Sequence, residues 1–197
     1  MKVAIIKYNA GNICSVDYAL KRLGVEAVIT ADEAVLRAAD KVIFPGVGEA
    51  KTTMSFLCAC GMDQLIKELR QPVLGICLGM QLMCSYSEEG DAECLGIFNT
   101  EVKRFISERH EDKVPHMGWN TIAQTNSDLF KGFTKEEFVY FVHSYYVPLN
   151  DCTAAVTDYI LPFSAALHKD NYYATQFHPE KSGSVGERIL RNFLDLK

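Results

Sequence analysis

The sequence predicts an α/β fold in which a central, mostly parallel mixed sheet is covered by helices on both faces. Three observations predict it. Short apolar runs alternate with segments of helical spacing over residues 2–44. A glycine-flanked cysteine stands between an apolar run and a helix-forming run near the middle of the chain. Further apolar runs with few helices between them fill the second half. Strand–helix alternation is typical of a parallel sheet with helices packed on its two faces.

The first half of the chain divides into elements at its turn residues. Residues 9–12 are expected to form a turn, and Gly24 is expected to end the first helix, because glycine adopts the conformation that closes a helix. The predicted strands are residues 2–8, 25–30, 41–44 and 73–74, and the predicted helices are residues 15–23, 32–39 and 80–83. Residues 90–99 are expected to form a loop that leads into a strand.

In the second half, apolar runs typical of strands follow one another with few helical segments between them. The predicted strands here are residues 101–105, 121–124, 138–147, 154–157 and 172–177, and a helix at residues 184–194 closes the chain. No linker-like segment separates the two halves. We therefore expect residues 1–197 to form a single domain, in which the second half is a mixed extension of the sheet.

Composition excludes several classes of protein. The chain is 48% apolar and 23% charged, with a formal net charge of −5, so nucleic acid is not expected as a partner. The seven cysteines form no disulfide framework, and the pair Cys58 and Cys60 has no second pair or nearby histidine to complete a metal site. No signal peptide is expected from the amino-terminal residues, and no apolar run approaches the roughly 20 residues that a membrane span needs. These features predict a cytoplasmic protein without a metal, and no membrane partner is expected.

Cys77 has the local sequence of a nucleophile elbow, which is a strand, a sharp turn that carries a nucleophile, and a helix. Gly75 and Gly79 lie two residues on either side and remove side chains where strand and helix must approach each other. The thiol is then held at the carboxyl edge of the sheet, where the helix amino terminus favours the reactive thiolate. The alternative is a buried structural cysteine in a glycine-flanked turn.

A nucleophilic cysteine needs a base, and the base needs a group that orients it. His178 directly follows a predicted strand, and Glu180 is close enough along the chain to fold back onto the imidazole across Pro179. By itself this tripeptide is also compatible with an ordinary surface turn.

The segment 44–48, Phe-Pro-Gly-Val-Gly, also follows a strand. Attack of a thiolate on a carbonyl group creates an oxyanion, which backbone N–H groups can stabilise. We expect one N–H donor from Leu78 and another from Val47 or Gly48 in this loop. An ordinary strand–helix turn is the alternative for each segment alone, but three such features, each after its own strand, favour a catalytic site.

These segments resemble the signatures of the class I glutamine amidotransferases: GICLGMQ at 75–81, QFHPEKS at 176–182 and FPGVG at 44–48. More narrowly, the whole chain resembles the glutaminase subunits of imidazole glycerol phosphate synthase. The narrower resemblance includes YNAGN at 8–12, PHMGWN at 115–120 and YFVHSYY at 140–146. One departure is Lys7, where the family usually has aspartate.

The resemblance implies a flavodoxin-like three-layer sandwich and a glutaminase that needs no cofactor. It assigns Cys77 as the nucleophile, His178 as general base and acid, and Glu180 as the orienting carboxylate. The substrate is L-glutamine, which is hydrolysed to glutamate and ammonia. The implied substrate-binding residues are Gln81, Glu89, His143, Ser144 and Tyr145.

The resemblance also implies a heterodimer with a cyclase subunit built as a (β/α)₈ barrel. Ammonia would pass to this partner, which makes imidazole glycerol phosphate and an aminoimidazole carboxamide ribotide in histidine biosynthesis. The implied partner interface is Pro115, His116, Met117, Trp119 and Lys181. A tryptophan at an interface can bury a large apolar area and keep one N–H donor. The alternative for Trp119 is that it fills a gap in the core.

Three other functions stay open at this point. A different triad amidotransferase would share Cys77, His178 and Glu180. A γ-glutamyl peptidase or hydrolase on the same fold would need no partner. A catalytically silent binding module would only stabilise its cyclase.

Overall fold

The structure, a computed structural model, describes residues 1–8, 12–109 and 111–197. Most of the turn predicted at residues 9–12 lies outside the described residues, as does His110, for which the sequence predicts a solvated loop. The strands are Val3–Ile6 (β1), Ala27–Thr30 (β2), Lys41–Gly46 (β3), Val73–Cys77 (β4), Tyr86–Ser87 (β5), Ala92–Glu93 (β6), Glu101–Arg104 (β7), His116–Ile122 (β8), Glu137–His143 (β9), Tyr145–Tyr146 (β10), Thr153–Asp158 (β11), Pro162–Lys169 (β12) and Tyr172–Thr175 (β13). The helices are Ile13–Arg22 (α1), Glu33–Arg37 (α2), Ala50–Ala59 (α3), Met62–Glu68 (α4), Leu78–Met83 (α5) and Gly183–Asp195 (α6).

The largest sheet has the strand order β11-β12-β13-β4-β3-β1-β2. Strands β13, β4, β3, β1 and β2 run parallel, while β11 and β12 are antiparallel to their neighbours. The predicted α/β class with a mostly parallel mixed sheet is therefore confirmed. Strand β4 lies between β3 and β13, so the ends of these three strands meet at one edge of the sheet.

Helices cover both faces of this sheet because its central strands are apolar on both sides. In β1, Ala4 and Ile6 pack into one core cluster, and Val3 and Ile5 pack into the other. The first cluster contains buried residues of α2, α3, α4 and α5, and the second contains those of α1 and α6. The three-layer arrangement follows from this alternation.

The second half does not form one extension of the main sheet, and this expectation is wrong in part. Only β11, β12 and β13 join that sheet; β7 and β10 lie in a sheet with β5 and β6, and β8 pairs with β9. The strand predicted at 138–147 is divided at Ser144, where the chain leaves β8 and Tyr145 pairs with Arg104 of β7. The strand predicted at 121–124 begins earlier, at His116, and ends before Gln124, whose φ of 50° is incompatible with an extended strand.

Five of the strands and helices were not predicted from the sequence: α3, α4, β5, β6 and β12. Helices α3 and α4 bury apolar residues at helical spacing, such as Met54 and Leu57 or Met62 and Leu65, which was the signal available. Strand β12 begins at Pro162 and is rich in alanine, so its composition does not indicate a strand. Within the described residues, none of the helices has the length and apolar character that crossing a membrane would require.

Candidate active site

The site forms where β3, β4 and β13 end side by side. Cys77 is the last residue of β4 and is in register with Gly46 at the end of β3. On the other side of β4, Thr175 of β13 is in register with Ile76. Because parallel strands end at the same edge, this register brings His178 and the loop after Gly46 to opposite sides of Cys77.

The backbone at Cys77 has φ 53° and ψ −108°, a conformation that non-glycine residues rarely adopt. The two flanking glycines permit it through close packing. A Cβ atom at Gly79 would overlap the backbone oxygen of Phe44, and one at Gly75 would lie 3.0 Å from the carbonyl carbon of Gly79. The predicted elbow is therefore present, and the Cys77 side chain lines a cavity although the residue is only 8% exposed.

His178 and Glu180 form a buried pair on a short 3₁₀ turn. The Nδ1 atom of His178 lies 2.7 Å from Oε1 of Glu180, and the Asn12 amide donates to the same oxygen at 2.6 Å. Because a carboxylate only accepts, Nδ1 carries the hydrogen. The Nε2 atom is buried without a hydrogen-bond partner among the described residues, on the ring that interacts with the Cys77 thiol.

The charge state of His178 follows from these neighbours. Burial acts to lower the pKa of the imidazole, but interaction with the nearby Cys77 sulfur and the hydrogen-bonded, charged Glu180 carboxylate outweighs burial. The result is a pKa for His178 raised from 6.5 to about 10. This favours the protonated, imidazolium form of His178 at neutral pH.

The loop after β3 is held against the site by Tyr8. The Tyr8 hydroxyl donates to the backbone oxygen of Pro45 at 2.5 Å, and burial raises the pKa of this phenol far above 10. A Cβ atom at Gly46 would lie 2.8 Å from the Tyr8 hydroxyl, so only glycine fits there. Gly48 has φ 125°, which also favours glycine.

A cavity of about 330 Å³ opens above Cys77. The structure brings together around it the predicted nucleophile and base, the predicted N–H donors, and the predicted substrate-binding residues. Glu180 lies behind His178 and does not line the cavity. The lining residues are Val47, Gly48, Cys77, Leu78, Gln81, Glu89, Pro115, Val142, His143, Ser144, Tyr145 and His178.

The polar side chains of the cavity are anchored by the protein itself. The Gln81 amide donates to the backbone oxygen of Tyr145 at 3.2 Å. Glu89 accepts from the backbone N–H of Ala50 at 2.9 Å, and burial raises the pKa of its carboxyl group. Both side chains are therefore oriented before any ligand is present.

His143 lies on the inner face of β9 and bonds to a second buried histidine. Its Nδ1–H donates to the Tyr145 backbone oxygen at 2.7 Å, so its Nε2 must accept. The donor to Nε2 of His143 is Nδ1–H of His116, 2.9 Å away. The other ring nitrogen of His116, Nε2, then accepts from the Asn120 amide at 3.3 Å. Burial lowers the pKa of His143 to about 3 and that of His116 to about 4, so both rings are neutral at pH 7.

This geometry corrects the prediction for His116 as an interface residue. His116 is only 3% exposed, because alternate residues of β8 face opposite sides and His116 faces inward. Its neighbours on the other side of the strand point outward. Met117 and Trp119 are 64% and 56% exposed, so the alternative that Trp119 fills a core gap is wrong.

The outward face of the β8–β9 hairpin is an exposed apolar surface, which we call the hairpin face. It consists of Met117, Trp119, Phe138 and Tyr140, with Lys181 beside it. Trp119 pairs with Tyr140 across the strands, and the Lys181 ammonium lies 5.9 Å from the centre of the Tyr140 ring. Exposed apolar clusters of this kind mark interaction surfaces.

Acidification is expected to destabilise the fold as the pH falls from about 6.5 toward the folded-state pKa values of about 4 for His116 and about 3 for His143. His116 and His143 stay neutral in the folded chain, whereas they bind protons after unfolding. Their stabilisation is complete above the unfolded pKa of 6.5 and is lost as the pH falls below it. The loss at pH 5 should be on the order of 2 kcal/mol for each of the two histidines. Chemical denaturation at pH 7 and pH 5 measures it, and His116→Gln should reduce the difference; a pH-independent stability would contradict the neutral pair.

Sequence reasoning assigned no function to three polar residues of the site. Asn12 contacts Glu180, Tyr8 holds the donor loop, and the Gln176 amide lies 3.7 Å from the Cys77 sulfur. All three belong to the segments that carry the family resemblance, and a buried polar residue within such a segment was the available signal. Lys7, the departure from the family pattern, is exposed directly after β1.

Comparison with known proteins agrees with this geometry. Residues 5–196 match the sequence model of the family Glutamine amidotransferase class-I. Imidazole glycerol phosphate synthase subunit HisH of Bacteroides fragilis (strain YCH46) is 78% identical over 196 residues, and that of Bacteroides thetaiotaomicron is 77% identical over 196 residues; each alignment covers 100% of both chains. A crystal structure of a glutamine amidotransferase matches with a TM-score of 0.75 at 20% identity, over 99% of this chain and 98% of that one, and so shares the fold.

The chain belongs to the class-I glutamine amidotransferase family, within the group of HisH subunits of imidazole glycerol phosphate synthase. It is an enzyme of the glutamine amidotransferase type.

Proposed function

We propose that this chain, as a single domain over residues 1–197, is the glutaminase subunit of a cytoplasmic imidazole glycerol phosphate synthase. It hydrolyses L-glutamine to glutamate and ammonia without a cofactor and passes the ammonia to a (β/α)₈-barrel cyclase subunit. The cyclase then makes imidazole glycerol phosphate and aminoimidazole carboxamide ribotide in histidine biosynthesis. The observation that carries the proposal is the buried His178–Glu180 pair beside a cysteine with strained backbone at the floor of the cavity.

The proposed reaction begins with attack of the Cys77 thiolate on the side-chain amide carbon of glutamine. A carbon–sulfur bond forms, and the carbonyl electrons move to oxygen, where the N–H of Leu78 and an N–H of the Val47–Gly48 segment stabilise the negative charge. His178 gives its Nε2 proton to the leaving nitrogen, and ammonia departs. Water then attacks the thioester and gives its proton to His178, which releases glutamate and restores the thiolate.

The remaining polar groups of the cavity suit the other end of glutamine. The Glu89 carboxylate can accept hydrogen bonds from the α-ammonium group, and the amide oxygen of Gln81 can accept from the same group, because both Gln81 N–H hydrogens are used within the protein. The chain around Ser144 and Tyr145 forms the opposite wall and, with the buried His143 behind it, completes the pocket.

A partner is proposed for two reasons. Ammonia is largely protonated in neutral water and is then not a nucleophile, so it must be passed directly to an acceptor enzyme. The hairpin face supplies a docking surface near the site, because Pro115 lines the cavity and directly precedes β8. The interface therefore includes Pro115, Met117, Trp119 and Lys181, while the buried His116 supports it from beneath.

Glutamate release by this chain, measured with and without its cognate cyclase and the ribulosyl-type precursor, tests the proposal. We expect a low rate for the isolated chain and a rise of at least about 10²-fold in the complex, the effect of completing one oxyanion donor. Equal rates with and without the cyclase would contradict the proposed subunit function. That result would favour a partner-independent γ-glutamyl hydrolase, for which γ-glutamyl peptides are the diagnostic substrates.

In the same titration, Trp119→Ala should weaken cyclase binding by roughly 2 kcal/mol, because a large apolar side chain at the centre of the face is lost. Its melting temperature should change little, since Trp119 is exposed. Lys181→Ala should reduce activation more than affinity, because Lys181 follows Glu180 directly in the 3₁₀ turn. Phe56→Ala, which truncates an exposed aromatic side chain on α3, serves as the control. A Trp119→Ala chain that melts far lower yet binds normally would contradict the interface.

A further inference from the structure

A second polar side chain besides His178 reaches the nucleophile. Gln176 follows β13 and is fully buried, and its side-chain amide nitrogen lies 3.7 Å from the Cys77 sulfur. This is within hydrogen-bond distance for a sulfur acceptor. The sulfur also lies 3.9 Å from the backbone oxygen of Val142, which can accept from a thiol but not stabilise a thiolate.

The orientation of the Gln176 amide follows from a series of hydrogen bonds that begins at a backbone carbonyl. The Tyr145 oxygen can only accept, so the Gln81 atom 3.2 Å away is the amide nitrogen. The same nitrogen donates to Gln176 at 2.9 Å, and the Gln176 atom there must be the amide oxygen. The Gln176 nitrogen, with its two hydrogens, therefore faces Cys77.

Further hydrogen bonds hold both ends of this series, at the Tyr145 carbonyl and at the Gln176 main chain. The Tyr145 oxygen also accepts from Nδ1 of His143 at 2.7 Å, and His143 is held in turn by His116. The backbone N–H of Gln176 donates to Ala165 at 2.8 Å, which fixes the main chain beside β12. An amide flip at Gln176 would place its nitrogen against the nitrogen of Gln81, so that two donors face each other, and would turn its oxygen toward the sulfur. Both contacts would become repulsive, so the donor orientation is the stable one.

We propose that Gln176 is a further catalytic residue whose amide N–H stabilises and orients the Cys77 thiolate. Gln81 is then the positioning residue that holds the Gln176 amide in its donor orientation. The proposal rests on the proposed glutaminase function. A hydrogen bond to an ionised acceptor is stronger than one between neutral groups, and in a buried site it is not weakened by competing water. Gln176 thus supports the thiolate independently of the His178 imidazolium.

Alkylation of Cys77 by iodoacetamide as a function of pH tests the proposal, because it reads the thiolate without requiring glutamine turnover. Peptide mass spectrometry separates Cys77 from the other cysteines, of which Cys14, Cys58 and Cys60 are exposed. Gln176→Met keeps a side chain of similar length and removes the donor. We expect the midpoint of the alkylation profile to move up by about one pH unit, the effect of one hydrogen bond to a charged group. In turnover assays kcat should fall roughly tenfold, with little change in KM for glutamine.

Two further variants sharpen the test. Gln81→Met removes the group that orients Gln176, so the alkylation midpoint should move in the same direction by a smaller amount. Gln64→Met makes the same chemical change at an exposed position of α4 and should alter neither alkylation nor turnover. Melting curves of all variants establish that each is folded.

The outcomes separate this proposal from the proposed function. An unchanged alkylation profile in folded Gln176→Met and folded Gln81→Met chains would overturn the donor assignment, even if both chains melted at lower temperature. A wild-type chain without glutaminase activity in its complex would overturn the proposed function. The effect of Gln176 on the Cys77 alkylation profile would still be measurable in that inactive chain.

Discussion

Replacing Cys77 with alanine is expected to abolish glutamine hydrolysis, with a loss on the order of 10⁶ in kcat, as for removal of the nucleophile in other covalent mechanisms. Cys77 is the only cysteine among the described residues that line the cavity, so no second thiolate there can replace it. The fold should persist, since alanine has the same steric demand as cysteine at the strained backbone position and removes only one buried atom.

Glutamate release in the complex with the cyclase measures this loss. The complex of the Cys77→Ala chain should still use ammonium salts, because the partner's chemistry is untouched. Cys84→Ala is the matched control: Cys84 is a fully buried cysteine whose thiol donates to the backbone of Met80, and burial raises its pKa. It should retain activity. Glutamine-dependent turnover near the wild-type rate in the Cys77→Ala chain would show that Cys77 is not the nucleophile.

The second large effect is expected for His178. His178→Asn should lower the glutaminase rate by about 10²–10⁴, because protonation of the leaving ammonia and activation of water both require the imidazole. Glu180→Gln should cost less, since the amide oxygen can still accept from Nδ1–H and from Asn12.

The pH profile separates these two variants. The Glu180 charge is one of the causes that raise the pKa of His178 to about 10. Loss of that charge lowers the pKa of His178, so the imidazolium is lost at lower pH and the alkaline limb of the rate profile should move downward in pH. Rates measured from pH 6 to pH 10 test this. A Glu180→Gln chain with wild-type rates and an unchanged profile would mean that Cys77 and His178 suffice.

The strand–helix alternation of the first half and the identity of the central site residues could be predicted because their signals are local. Apolar runs indicate strands, and glycines such as Gly24 and Gly75 indicate turns, independently of residues distant in the chain. Cys77 and His178 each follow their own strand, and parallel strands necessarily end at a common edge. The sequence alone was therefore sufficient for the fold class and for the position of these residues at one edge of the sheet, while their catalytic roles stay predictions.

Only the tertiary structure decided which strands pair and which side chains face each other. The strands after residue 100 are distributed over three sheets, because their partners are distant in the chain and several pairings satisfy the same apolar pattern. His116 is buried and Trp119 is exposed although they are three residues apart, since the register of β8 on β9 sets which residues face inward. The orientation of Gln176 toward Cys77 depends on hydrogen bonds among residues up to 99 positions apart, so no local pattern could indicate it.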